Sequence, residues 1–306
     1  MLGKKGDSES KGSKRENFRT EVDDIHLSAG DQRRIEDERI FGEIIVRESQ
    51  ALRNFFGKEI PIPALPKQAT KERILEWRRL GLELHYLPHI SMAEIKRGPE
   101  GKILEVTPIE FPGWKMKPGT SGRYGNGFFD DVKSGDLDSS TLDLPGDWIL
   151  IDAREKPNYD EEGNQMYAND PLAPVLEELR KEKIVGGFKI KGSRFALSPE
   201  ELEDPKVLEA FARALNLHTI PGFTIGIPRA IEFNVLGNIH YPQWAQTNIS
   251  EWFSDKYGGS GPLSRLYGGS GRLSRFMWNV AQGRSWKIGF RVIGRFSSNQ
   301  EESHKK

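Results

Sequence analysis

Histidine and serine are the first residues to consider for metal binding or nucleophilic catalysis, because the 306-residue chain contains no cysteine. Without cysteine there are no disulfide bonds, thiolate nucleophiles, cysteine-ligated zinc sites or iron–sulfur clusters. His85 and His89 lie close together in the segment HYLPH, but Pro88 argues against a continuous helix there. Two histidines on an extended segment could bind a metal ion, although ordinary packing is the favoured interpretation.

A ten-residue unit occurs twice between Tyr257 and Phe276, first as YGGSGPLSRL and then as YGGSGRLSRF. A serine hydrolase of the common type carries its nucleophile in the pattern G-x-S-x-G. The final glycine of that pattern is replaced by Pro262 in the first copy and by Arg272 in the second. The serines of the repeat are therefore predicted to lie in turns.

Five aspartates follow one another in the run FFDDVKSGDLDSSTLDLPGD, and oxygen ligands of this kind suit calcium. The spacing departs from the EF-hand pattern, since both its central glycine and its terminal glutamate are missing. Solvated turns are the favoured interpretation. We expect no cofactor, although a structural calcium ion would fit this chemistry. The aspartates are Asp130, Asp131, Asp136, Asp138 and Asp143.

The segment from Lys256 to Gln300 contains no aspartate or glutamate, and aromatic residues are interleaved with its basic ones. Arginine and tryptophan provide directional donors and large contact areas, as recognition surfaces do. Three interpretations stay open: a face that binds a protein or a glycan, a platform for single-stranded nucleic acid, and core aromatics beside solvated arginines. Trp252, Phe290 and Val292 are predicted to be core residues. Ligand contacts are predicted for Tyr257, Arg272, Arg275, Trp278, Asn279, Arg284 and Trp286.

The chain as a whole is electrically balanced, with 45 basic and 45 acidic residues, so no global field attracts nucleic acid. Nucleic acid is therefore a less favoured partner than a protein or a glycan. The N-terminal segment lacks the apolar stretch of a secretion signal, and no later stretch reaches the roughly 18 apolar residues of a membrane span. We expect a soluble protein, and the lack of cysteine is compatible with the cytoplasm.

Three segments differ in composition. Residues 1–30 are charged and almost without large apolar side chains, which predicts a disordered tail. Residues 31–97 carry two helical patterns, one ending near Gly57 and one capped by Thr70, and then an extended segment. This region is predicted to be a small helical N-terminal module. Residues 98–306 are predicted to form the main domain.

Local signals in the main domain predict several helices and strands. Asp170 is predicted to cap a helix, Ser198 and Glu201 fit a capping box, and Asp204 is predicted to start another helix. The run DWILIDA predicts a buried strand. Alternating apolar residues predict a last strand over residues 286–296, with one apolar face and one partly cationic face.

Four short motifs follow one another across about 70 residues in the C-terminal third of the chain. They are a proline-containing helix start with Glu-Phe (IPRAIEF), the segment NISEWFSD, an arginine before a Gly-Gly-Ser turn (RLYGGS) and the strand IGFRV. In this order they resemble the formylglycine-generating-enzyme-like family. The corresponding residues are Pro228, Glu232, Phe233, Asn248, Glu251, Trp252, Asp255, Arg265, Gly268, Gly269, Ser270, Gly289, Phe290 and Arg291.

The resemblance implies an α+β fold of the C-type-lectin type, with short strands and irregular loops. The family's oxidases hold copper with a pair of cysteines, so formylglycine formation by that mechanism is excluded for this chain. What the resemblance then implies is a non-catalytic binding protein, similar to the variable proteins of diversity-generating retroelements. Those proteins display hypervariable C-terminal side chains on a fixed scaffold, to which Gly268, Gly269 and Ser270 would belong here.

An enzyme is the alternative from a different functional class. A cysteine-independent, metal-dependent enzyme on the same fold, for example an iron-dependent oxygenase, would need histidine and carboxylate ligands. His218 and His240 are the histidines we would test for that role.

Overall fold

The computed structural model describes residues 29–119, 127–158, 166–258 and 264–296, which form an α+β structure, as predicted. Most of the predicted tail and residues 259–263 of the first repeat copy lie outside these ranges. The helices are α1 (Ala29–Phe56), α2 (Lys71–Arg79), α3 (Phe128–Ser134), α4 (Ala173–Lys181), α5 (Pro199–Glu203), α6 (Pro205–Ala214) and α7 (Ala230–Ile239). The strands are β1 (Leu82–Leu87), β2 (Ala93–Arg97), β3 (Ile103–Pro108), β4 (Asp147–Asp152), β5 (Phe223–Gly226), β6 (Ser250–Tyr257), β7 (Ser264–Gly268), β8 (Phe276–Val280), β9 (Ile288–Gly289) and β10 (Ile293–Phe296). Short 3₁₀ helices span Pro99–Gly101, Ser139–Leu142 and Pro242–Gln246.

Two four-stranded sheets form the framework. The first has the strand order β1-β4-β10-β5 and is antiparallel throughout, so that Gly294 of β10 lies between Leu150 of β4 and Ile225 of β5. The second has the order β8-β7-β6-β9, in which β9 is parallel to β6 and the other pairs are antiparallel. Strands β2 and β3 form a separate hairpin. β8 and β9 are therefore the two edges of the second sheet.

Three of the predicted helix caps are confirmed. The Thr70 side chain accepts a hydrogen bond from the first turn of α2 at 3.4 Å. Ser198 and Glu201 form the reciprocal capping box of α5, with distances of 3.3 and 2.7 Å. Asp204 accepts a backbone N–H at the start of α6 at 2.7 Å. Each bond satisfies a donor that a helix start leaves without an intrahelical partner.

The predicted cap at Asp170 is wrong in detail. Both of its carboxylate oxygens accept hydrogen bonds from the Arg194 guanidinium at 2.6 Å, and one also accepts from the Leu172 backbone at 3.0 Å. Helix α4 begins later, at Ala173. A buried arginine that is distant in sequence binds the carboxylate that the local pattern assigns to the helix start.

The single last strand predicted over residues 286–296 is also wrong. The segment forms β9 in the second sheet and β10 in the first, and Phe290, Arg291 and Val292 cross between the two sheets. All three crossing residues are buried, which confirms Phe290 and Val292 as core residues but places Arg291 inside the protein. An alternating pattern cannot reveal that a segment changes sheets or that both of its faces are covered.

One hydrophobic core extends from α1 to β10 and includes Ile44, Trp77, Ile149 and Phe233. The boundary expected between residues 97 and 98 falls within the β2–β3 hairpin, and β1 pairs with β4. The N-terminal helices therefore share a core with the rest of the described structure. None of the helices in the described ranges combines the length and the apolar character that crossing a membrane would require.

Candidate functional site

Strand β6 connects the predicted motif residues to the core. Its Glu251 and Trp252 are completely buried, and Glu251 pairs with Arg291 through two hydrogen bonds of 3.0 and 3.2 Å. The Arg291 guanidinium also lies 3.8 Å from the centre of the Trp244 ring, and the Tyr167 hydroxyl donates to Glu251. Removing one member of such a buried pair leaves an uncompensated charge. These residues are therefore part of the scaffold and inaccessible to a macromolecular ligand.

The Gly-Gly-Ser turn between β7 and β8 is held equally tightly. A Cβ atom at Gly268 would lie 2.1 Å from the Arg275 carbonyl oxygen, and Gly269 has a φ of +84°, which favours glycine. The buried Lys156 ammonium donates to the Gly269 carbonyl at 2.8 Å, and burial lowers its pKa to about 8. Ser270 donates to the Asn248 carbonyl at 2.8 Å. These contacts fix the point from which the following segment leaves the sheet.

A second group of buried charges fixes the start of α7. Glu232 is completely buried and accepts hydrogen bonds from the Arg229 backbone at 2.9 Å and from the Arg295 side chain at 2.6 Å. Asp255 accepts the Ala230 N–H at 2.6 Å, and burial raises its pKa to about 6. The motif residues Glu232 and Asp255 thus bind α7 to β10 and β6.

The recognition surface, by which we mean the seven predicted contact residues, is centred on a stacked aromatic pair. The rings of Tyr257 on β6 and Trp278 on β8 lie 5.3 Å apart at an interplanar angle of 9°. Trp278 is 46% exposed, and its neighbour Val280 is 41% exposed. The Tyr257 hydroxyl donates to Asp131 at 3.4 Å, and burial together with the Asp131 charge raises its pKa to about 12. A half-exposed indole on an edge strand, supported from behind, is suited to contact a ligand.

Arg272 and Arg275 lie in the turn that leads into β8, and both side chains are exposed. Leu273 between them is completely buried, so the turn is anchored while the flanking arginines point to solvent. Asn279 is half-buried, and its side chain accepts the Val280 N–H at 2.8 Å. These positions adjoin the aromatic pair along the chain.

The last two predicted contacts lie elsewhere on the sheet. Trp286 is 43% exposed and lies two residues before β9, the edge opposite to β8. Arg284 is exposed, but its guanidinium pairs with Glu201 on α5 at 2.8 Å. The structure thus divides the predicted contacts into a larger group near β8 and a smaller group near β9.

The acid-free composition of the C-terminal segment does not make it a uniformly cationic surface. Four of its arginines pair with carboxylates that lie earlier in the chain, and two of these arginines are buried. Those contacts reduce the positive potential available to a nucleic-acid backbone. The paired arginines are Arg265, Arg284, Arg291 and Arg295.

A buried cluster that local motifs do not predict joins α1, β1 and the residue after α7. His85 Nδ1 lies 3.0 Å from Glu48 Oε1, and His240 Nε2 lies 3.4 Å from Glu48 Oε2. Burial and the neighbouring His85 lower the pKa of His240 to about 4. Burial alone would raise the pKa of the Glu48 carboxyl, but the two histidines hold it well below its usual range. Among the described residues, this is the group whose histidine and carboxylate atoms lie close enough to hold one metal ion.

The other predicted metal candidates are dispersed. His218 and His89 are exposed and lie outside the cluster, whereas His240 belongs to it. Of the acidic run, Asp130 accepts the Gly127 N–H at the start of α3, and Asp138 accepts the Ser140 N–H. These are capping contacts. The sequence does not identify Glu48 as a member of the buried cluster, because nothing in the pattern of an amphipathic helix distinguishes a buried carboxylate from a solvated one.

A surface cavity of about 670 Å³ lies beside the start of α7, but its arginines are already engaged. Arg229 and Arg295 both bind Glu232, and Arg229 also donates to the Ser140 and Asp143 carbonyls. Cavities of about 690 and 710 Å³ occur elsewhere, so volume does not single this one out. We therefore place the candidate site at the recognition surface.

Comparisons with models of protein families, with curated proteins and with solved structures give no match for this chain.

Proposed function

We propose that this protein is a non-catalytic ligand-binding protein with a C-type-lectin-type fold, which contacts a protein or a glycan through its recognition surface. The motif order in the sequence supports the family, and the burial of Glu251, Trp252 and Arg291 is consistent with a scaffold role. A role similar to that of the variable proteins of diversity-generating retroelements follows from the same motifs. In such a protein, side chains on the surface change while the core does not.

The observation that carries the proposal is the exposed Trp278 ring, stacked on the partly buried Tyr257 and next to the exposed Arg272 and Arg275. Aromatic rings and arginines supply most of the energy at typical binding sites. Here Trp278 extends from an edge strand, and the two arginines extend from a turn whose glycines and buried leucine are fixed. These three side chains can therefore be replaced with little effect on the core.

The first test compares ligand capture by the full chain with capture by the double variant Arg275→Ala/Trp278→Ala, using a glycan array and a panel of purified proteins. Leu104→Ala and Arg213→Ala are matched controls, because they remove an exposed apolar and an exposed basic side chain elsewhere. We expect capture to be lost only in the double variant, with the thermal transition nearly unchanged.

Two results would contradict the proposal. Ligands bound equally well by the double variant would place the binding site elsewhere. Loss of folding in that variant would show that Arg275 and Trp278 are core residues.

Single-stranded nucleic acid is the third probe, and any binding to it should weaken steeply as salt increases. A genomic neighbourhood containing a reverse transcriptase and a template copy of the C-terminal coding segment would favour a diversified surface.

A further inference from the structure

We propose that Glu48, His85 and His240 form a binding site for one divalent transition-metal ion of the Zn²⁺ type. The site is separate from the recognition surface and does not depend on its function. Two imidazoles and a carboxylate are a ligand set that zinc accepts in proteins. The inference rests on the geometry, the burial and the surrounding hydrogen bonds of these three residues.

The ligand atoms already have suitable spacing. One ligand atom from each residue lies within 4.8 Å of the other two. The two short contacts use different Glu48 oxygens, since His85 lies 3.0 Å from Oε1 and His240 lies 3.4 Å from Oε2. With metal–ligand bonds of about 2.0–2.2 Å, tetrahedral geometry separates neighbouring ligand atoms by roughly 3.3 Å. Small side-chain movements would therefore bring all three residues into contact with one ion.

The cluster is buried, which limits competition from solvent. Glu48 has no exposed surface, His85 is 1% exposed and the His240 side chain is 10% exposed. A carboxylate removed from water needs a positive charge nearby. His240 has the most exposed side chain of the three, and three protein ligands leave a fourth position for water.

The groups around the cluster resemble the outer shell of a metal site. His85 Nε2 lies 2.6 Å from the Tyr241 hydroxyl, which is itself 3.1 Å from Glu83. When that hydroxyl donates to Glu83, His85 donates from Nε2 and its Nδ1 lone pair faces Glu48. An imidazole lone pair and a carboxylate oxygen at 3.0 Å face each other only with a proton or a cation between them, and a bound metal ion can take that place. Metal-binding histidines usually donate their second ring N–H in this way.

Two donors complete the surroundings of the Glu48 carboxylate. Arg47 Nε donates to Oε1 at 3.0 Å, and the Tyr86 N–H donates to Oε2 at 3.2 Å. Arg47 Nη2 also donates to the Leu84 carbonyl at 2.6 Å. Arg47 thereby orients the carboxylate from the side of β1. Because the ligands come from α1, β1 and the end of α7, a bound ion would join the N-terminal helix to the core.

The test uses the full chain after dialysis against a chelator, titrated with Zn²⁺ in competition with a chromophoric chelator. We expect one Zn²⁺ per chain and a rise in Tm on Zn²⁺ addition. Glu48→Gln, His85→Gln and His240→Gln should each weaken binding by at least about tenfold and remove the Tm rise. His218→Gln is the matched control, because it removes an exposed histidine outside the cluster and should change neither readout.

A fourth variant protects the test against loss of folding. Tyr241→Phe removes no ligand and keeps the ring, yet it should weaken Zn²⁺ binding by about 10- to 100-fold, as loss of an outer-shell partner does. Circular dichroism of each variant before titration shows whether it is folded. The proposal is overturned if the folded wild-type chain binds no Zn²⁺. It is also overturned if all three ligand variants and Tyr241→Phe bind Zn²⁺ as the wild type does.

Discussion

Asp255 allows a direct measurement of how much the burial of an ionised carboxylate lowers the stability of the scaffold. Its side chain is 5% exposed and accepts the Ala230 N–H at the start of α7. Burial, assisted by the neighbouring Glu232, raises its pKa from 3.8 to about 6. The folded chain therefore binds a proton at this site more tightly than the unfolded chain does, and the stability that the protonated group contributes is lost as pH rises.

The magnitude follows from linkage between proton binding and folding. A pKa of about 6 in the folded chain against 3.8 in the unfolded chain corresponds to about 3 kcal/mol, since each pH unit is worth 1.36 kcal/mol. This contribution is fully present below about pH 4 and is lost as pH rises through about 6. At neutral pH, the ionised Asp255 lowers the free energy of unfolding by that amount.

Asp255→Asn isolates the effect, because the amide oxygen can still accept the Ala230 N–H while the group carries no charge. We expect the variant to be more stable than the wild type by up to about 3 kcal/mol at pH 7, with the advantage shrinking towards zero near pH 4. Urea unfolding followed by tryptophan fluorescence at several pH values measures the difference. Titrating groups that do not interact with Asp255 affect both proteins alike and cancel.

Glu94→Gln is the control, because Glu94 is exposed on β2 and its removal should leave the pH profile unchanged. The reasoning is refuted if the difference between Asp255→Asn and the wild type is the same at every pH. It is equally refuted if the variant is the less stable protein at pH 7. The first result would mean that folding leaves the pKa of Asp255 unchanged, and the second that the ionised carboxylate is stabilised by its surroundings, for example by the start of α7.

Three further changes test the buried ion pair, the glycine turn and the aromatic pair. Arg291→Met should lower the free energy of unfolding by about 3–5 kcal/mol in urea titrations, because Glu251 would remain buried without its cation; a loss below about 1 kcal/mol would contradict this. Gly268→Ala should destabilise the protein far more than Gly187→Ala in thermal unfolding, since only the first Cβ meets a carbonyl oxygen, at 2.1 Å; equal effects would contradict the clash. Asp131→Asn should lower the pKa of Tyr257 in an ultraviolet titration, because burial and the Asp131 charge together raise that pKa. An unchanged pKa would mean that the Asp131 charge does not act on the Tyr257 hydroxyl.

Features that depend on near neighbours in the chain could be predicted from the sequence. Thr70, Ser198 and Asp204 are caps because each lies within a few residues of the N–H group that it accepts. The strand DWILIDA was predicted for the same reason, since its apolar residues are contiguous. The burial of Trp252 and Phe290 was also predicted correctly from their local patterns.

Features that depend on distant parts of the chain could not be predicted. Asp170 binds Arg194 across 24 positions, and His240 meets Glu48 across 192. Local patterns also give no sign that residues 286–296 divide between two sheets, because alternation describes one strand and not its partners. The pairing of Arg284 with Glu201 could not be predicted for the same reason, since Glu201 lies 83 positions earlier in the chain.

The position of β10 has a consequence for how the protein is made. β10 lies between β4 and β5 in the first sheet, and in the described structure β5 has no other strand partner. The sheet therefore cannot close until the ribosome has released residues 293–296, which follow the whole recognition surface in the chain. A stop codon or frameshift within residues 257–287 would remove β10 and leave an open sheet with exposed edges. Folding to the native state thus verifies that this surface has been translated in frame.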